Sequence, residues 1–65
     1  MNKARREKLR EIVEELEAVI EEEEAALEGL PENMQDGERA ERMREALDQL
    51  RDGQGYVDTV ANNDM

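Results

Sequence analysis

Residues 9–20 read Leu9-Arg10-Glu11-Ile12-Val13-Glu14-Glu15-Leu16-Glu17-Ala18-Val19-Ile20, and the fold turns on how they are read. The large apolar residues Leu9, Ile12, Val13, Leu16, Val19 and Ile20 recur three or four positions apart and never two, so only a helix gathers them on one face. Extended in both directions, the seam is Leu9, Ile12, Leu16, Val19, Glu23, Ala26 and Leu30, stepping 3, 4, 3, 4, 3, 4. Val13, Ile20 and Leu27 widen the same stripe. Glu, Leu, Ala, Arg and Lys dominate the segment and all favour helix. A helix is therefore expected over residues 3–29.

Gly29, Leu30 and Pro31 interrupt that pattern. Glycine suits a helix end, and proline opens a new turn more readily than it continues an old one. Residues 30–36 read as a turn, with Pro31-Glu32-Asn33-Met34 able to form one helical turn. Asp36 is the expected N-cap of a second helix, with Glu38 and Glu41 near its positive end.

That second helix is expected over 37–61. Its seam is Ala40, Met43, Leu47, Leu50, Gln54, Val57 and Ala61, again stepping 3, 4, 3, 4, 3, 4. The phase runs through Gly53 and Gly55, each of which costs about 1 kcal/mol in a helix interior relative to alanine. A helix ending near Asp52 competes with one continuing to Ala61. Preserved phase and the apolar Tyr56, Val57 and Val60 favour the longer one. Residues 62–65 are expected to fray.

A short connection makes the two helices antiparallel neighbours. A fold about residues 33–34 sets Leu27 near Ala40, Ile20 near Leu47, Leu16 near Leu50 and Leu9 near Val57. It also sets Glu23 near Arg44 and leaves one mismatch, Val13 with Gln54. Each helix would be about 40 Å long at 1.5 Å per residue. The expected fold class is all-α: an antiparallel two-helix hairpin in a single domain.

Composition argues that this hairpin does not act alone. The chain has 65 residues, no cysteine and no histidine, and Tyr56 is its single aromatic. So short a chain buries little surface, and small folds usually add a disulfide, a metal or a partner. Without thiols or imidazoles the partner remains. The broad stripe of the first helix suits a bundle of more than two helices, so a homodimeric four-helix bundle is expected. Ile12, Val13, Val19, Ile20, Leu27, Leu47, Leu50 and Val57 are its candidate self-association residues.

The charge is distributed unevenly. Residues 1–10 carry +4, residues 11–32 carry ten Glu and no base, and residues 33–65 carry −4, for a net −10. On the first helix this order opposes the helix dipole. An antiparallel neighbour, within the hairpin or in a dimer, would lay a basic end beside an acidic one.

Candidate chemistry is sparse. Glu17, Glu21, Glu24 and Glu28 line one strip of the first helix. They are first of all a solvated face, and secondarily a surface for a basic partner or a mimic of nucleic-acid phosphates. Carboxylate di-metal bundles need Glu-x-x-His, absent here. Asp48–Thr59 fails as a calcium loop, because Leu50 and Thr59 fall at ligand positions. No nucleophile–base pair and no phosphate-binding loop occur, so neither catalysis nor a cofactor is expected. The bases Lys3, Arg5, Arg6, Lys8 and Arg10 read as a solvated or ion-paired helix end. Tyr56 reads as core, subunit contact or anchor in a partner, and Met34 and Met43 as gap fillers. No apolar run reaches the length of a membrane span, no secretory leader is expected, and the lack of cysteine fits a reducing compartment.

Leu30-Pro31-Glu32-Asn33-Met34-Gln35, then Glu38-Arg39-Ala40-Glu41-Arg42-Met43 and Ala46-Leu47-Asp48-Gln49-Leu50, resemble small acidic proteins of bacterial phages and prophages. In these, a basic Glu/Leu helix leads through Leu-Pro-Glu to a helix built on Ala-[Ile/Leu]-Asp-x-Leu. The resemblance covers about residues 3–52, and Gly53 and Gly55 depart from it. Proteins of this kind are mostly of unassigned function, so the resemblance implies origin, in the cytoplasm of a bacterial host, more than activity. By analogy with small phage accessory proteins, and with the acidic faces steering it to a basic surface, the chain is expected to bind and inhibit a host protein, a defence component among them, without touching nucleic acid or membrane directly. Three other readings stand beside this: a DNA-mimic inhibitor, an oligomeric sponge holding a nucleotide signal through Arg5, Arg6 or Arg44, and a purely structural bundle.

Overall fold

Asn2 starts the first helix. Its backbone is extended and its side chain accepts a hydrogen bond from the Arg5 N–H at 2.8 Å, satisfying one of the four donors a helix start leaves unpaired. In the computed structural model, which describes residues 1–63, helix α1 runs Lys3–Glu28. A 3-10 turn follows at Glu32–Met34, and helix α2 runs Glu38–Ala61. The described residues are all-helical, and the two helices pack against each other.

α1 ends at Gly29 with ordinary right-handed backbone, so that glycine is not needed for an unusual φ. A Cβ there would come within 3.3 Å of the Ala25 carbonyl oxygen. Closure comes instead from Gln35, whose side-chain amide donates to the carbonyls of Leu27 at 2.9 Å and Leu30 at 3.0 Å. Arg44 donates to the Gln35 carbonyl at 2.9 Å, tying the same residue to α2.

The N-cap of α2 is Gly37, not Asp36, and no side chain caps it. The Gly37 N–H bonds back to Met34 at 3.1 Å, holding Asp36 inside the turn and moving the helix start one residue on. Glu38 and Glu41 occupy the first turn as expected from the dipole. α2 continues through Gly53 and Gly55 to Ala61. A Cβ at either glycine would meet no atom within 4 Å, so packing within the hairpin does not account for either residue.

On α2, Ala40, Met43, Leu47, Leu50, Gln54, Val57 and Ala61 are buried or half-buried, and every other residue of the helix is exposed. On α1 the seam is rotated from the expected one. Leu9, Val13, Leu16, Ile20, Glu23 and Leu27 turn inward, while Ile12 and Val19 are 43% and 52% exposed and Ala26 is also exposed. The core is short: Ile20, Ala40, Leu47 and Ala61 are its buried members, and Ile20 is the one large side chain among them that is fully buried. Met43 fills the seam, but Met34 is exposed in the turn.

Cross-helix polar contacts set the register. Gln54, the one polar seam residue of α2, donates to a Glu17 carboxylate oxygen at 2.6 Å and reaches the Val13 carbonyl at 3.5 Å. The Val13–Gln54 mismatch is thus resolved by a partner one turn along. Glu23 does not pair with Arg44, which is held by Gln35; the cross-helix ion pair is Arg51 with Glu24. The rotation of α1 moves Glu24 to the flank of the seam, where a long arginine can reach it. After α2, the Asn62 backbone N–H caps the helix, its side chain accepts from Arg10 at 3.3 Å, and the Asn63 carbonyl accepts from Arg6 at 3.1 Å. The remainder of the expected frayed tail, Asp64 and Met65, lies outside the described residues.

The result is a single layer, 49 × 15 × 11 Å between Cα extremes, with a radius of gyration of 15.1 Å. A compact chain of this length would have about 11 Å.

Candidate interaction surfaces

Calling the seam positions a and d, the e and g positions flank it. In an antiparallel pair the two e rows lie on one side and the two g rows on the other, because the chain directions are reversed. The e side here carries Arg10, Glu17 and Glu24 from α1 and Arg44, Arg51 and Asp58 from α2. Every side chain-to-side chain bond between the helices in the described residues uses this side: Arg10 with Asn62, Glu17 with Gln54, Glu24 with Arg51. The g side carries Ile12, Val19 and Ala26 from α1 and Ala46, Gly53 and Val60 from α2, all exposed. One long face of the hairpin is therefore charged, and the other carries an apolar strip, bounded by Arg5 and Arg39 at its ends and by Glu15, Glu22, Arg42 and Gln49 along its outer edges.

The strip of Glu17, Glu21, Glu24 and Glu28 belongs to the charged face, and its members differ. Glu17 and Glu24 are half-buried and engaged within the hairpin, by Gln54 and Arg51. Glu21 and Glu28 stand further out and are exposed. Glu24 and Glu28 also line a cleft of about 330 Å³ with Leu27, Arg44, Leu47, Asp48 and Arg51. Two guanidinium groups among three carboxylates make it a mixed-charge groove, open to solvent, suited to polar contact with another surface.

Tyr56 is 77% exposed and stands outside the hairpin core, at the outer rim of the apolar face beside Gly53 and Val60. Of the expected self-association residues, Ile20 and Leu47 are buried inside the hairpin, and Val13, Leu27, Leu50 and Val57 are half-buried along its seam. Ile12 and Val19 alone among them face outward. Reading the sequence did not single out Ala26, Ala46, Gly53 and Val60 as one surface. The signal was present as a seven-residue spacing on each helix, hidden until the rotation of α1 was known.

Arg5 and Arg6 sit at the open end of the hairpin and Arg44 near the turn, so the three do not converge within one chain. Among the described residues no cluster of acidic side chains has metal-holding geometry, and no helix is long and apolar enough to cross a membrane. No family model matches this chain, and no curated protein or solved structure shows significant similarity to it.

Proposed function

We propose that this chain is a phage-type, non-catalytic interaction protein: a self-associating acidic hairpin that binds and inhibits a host protein, a defence-system component in the leading case. The observation that carries the reading is the division of the hairpin into one charged and one apolar long face. A partner bound on one face and a second copy on the other do not compete. The charge of −10 on a chain of this size steers it toward a basic surface and speeds encounter.

Arg44 and Arg51 interrupt the acidic face, which favours a mixed-charge protein surface over the groove of a DNA-binding protein as its complement. A DNA mimic would compete with DNA for its target; a protein-surface ligand would not need to. The experiment is affinity capture from the bacterial host followed by binding of the captured protein to variants. Glu21→Lys with Glu28→Lys should weaken binding at least tenfold while circular dichroism keeps its helical signal. Affinity unchanged by that double reversal, and by the fourfold reversal that adds Glu17 and Glu24, would refute binding through the acidic face. Weakening by salt is expected as well.

A further inference from the structure

We propose that a second copy of this chain covers the apolar face in antiparallel orientation, with Val19 against the partner's Val19 and Gly53 against the partner's Gly53. This deepens the self-association in the reading above by naming the surface and the symmetry. The helix contacts place Ile12 about level with Val60, Val19 with Gly53 and Ala26 with Ala46. These three rungs form a continuous strip of exposed apolar or side-chain-free positions, ending in Arg5 on one helix and Arg39 on the other.

Two isologous stackings of one hairpin on another are possible. A two-fold axis along the helices sets like poles together and α1 on α2, so residues 1–10, which carry +4, share one pole with residues 1–10 of the other copy, diagonally across the stack. An axis across the helices sets that basic end beside Glu28 and Glu32 of the other copy, and sets α1 on α1 and α2 on α2. Charge selects the second. In it the axis passes close to Val19 and Gly53, the middle rung. The missing side chain at Gly53 then has a purpose the lone hairpin does not provide, since nothing lies within 4 Å of a Cβ there. The two α2 helices approach closest at that point, and each Tyr56, nearly one turn on, lies over the partner's Gly53. The apolar strip runs 14 residues along each helix, about 21 Å at 1.5 Å per residue, so the centre of the contact is apolar and the charged ends of the two copies complement one another around it. The charged faces remain outermost on both copies.

The chain has no cysteine, so single replacements report cleanly. Under mild oxidation of the full chain, Val19→Cys should form a covalent dimer, Gly53→Cys likewise, and Glu21→Cys on the other face should not exceed random coupling. An equimolar mixture of Val19→Cys and Gly53→Cys should yield the two self-linked dimers. Dominance of the mixed dimer would instead establish the axis along the helices and overturn the proposal. So would coupling of Val19→Cys no better than that of Glu21→Cys, or a monomer mass for the unmodified chain by sedimentation at about 100 µM. Val19→Glu should lower the mass to that of a monomer while host-protein binding through Glu21 and Glu28 persists. A dimer failure thereby reads separately from a binding failure, and the cross-links decide the matter even where Val19→Glu unfolds.

Discussion

Gln35 shows how much one residue, side chain and backbone together, does in a fold with so little interior. Its amide closes two carbonyls at the end of α1, and its own carbonyl holds Arg44 of α2. A net contribution of about 0.5–1.5 kcal/mol per hydrogen bond makes Gln35→Ala cost roughly 1–3 kcal/mol. Urea unfolding should show this as a lower midpoint with unchanged slope, whereas Asp36→Ala, one residue on and no cap, should change the midpoint little. Neither Gln35 nor the Asn62–Arg10 contact was legible in the sequence. Both depend on where a turn or a chain end brings a side chain, and no periodicity encodes that. The cap at Asp36 was misplaced for the same reason: one 3-10 hydrogen bond decides it.

Between the elements, the legible and the illegible divide by helix. α2 offers one apolar register, and its seam appears in the structure residue for residue. α1 offers two, because Ile12-Val13, Val19-Ile20 and Ala26-Leu27 are adjacent pairs with the same seven-residue spacing. Only docking against α2 chooses Val13, Ile20 and Leu27. That choice is measurable in neighbouring residues. Ile20 is fully buried, and Ile→Ala at such a site costs about 2–5 kcal/mol. Val19→Ala, assayed dilute enough for the hairpin to be monomeric, should cost under about 1 kcal/mol. Equal losses of helicity at the two positions would contradict the rotation. The Arg51–Glu24 pair contributes less than its directness suggests, since both side chains are 40% or more exposed and such pairs are worth about 0–1 kcal/mol.

For the whole molecule, charge and shape act together. Ten excess negative charges on a single-layer rod repel one another across water-exposed surface, and that repulsion opposes both packing and pairing. The Debye length falls from about 30 Å at 0.01 M salt to about 8 Å at 0.15 M. The net repulsion is a many-charge effect and the exposed ion pair a single one, so screening should stabilise on balance. The thermal midpoint of a dilute sample is expected to rise by several degrees over that range, followed by circular dichroism; a fall would mean that ion pairs dominate. The midpoint should also climb with protein concentration, as mass action requires of a self-associating chain. The two-faced arrangement was only half legible beforehand: the acidic strip could be counted, but the apolar face existed only once both helices were phased against each other.

Arg6 grips the carbonyls of both Met1 and Asn63. The first and last described residues therefore meet at one pole, opposite the turn. A fluorophore or an affinity handle attached at Met1 or at Asn63 would sit at that pole, far from the turn. Tethering this protein to a sensor surface through either of those two residues should accordingly present it in the same pose.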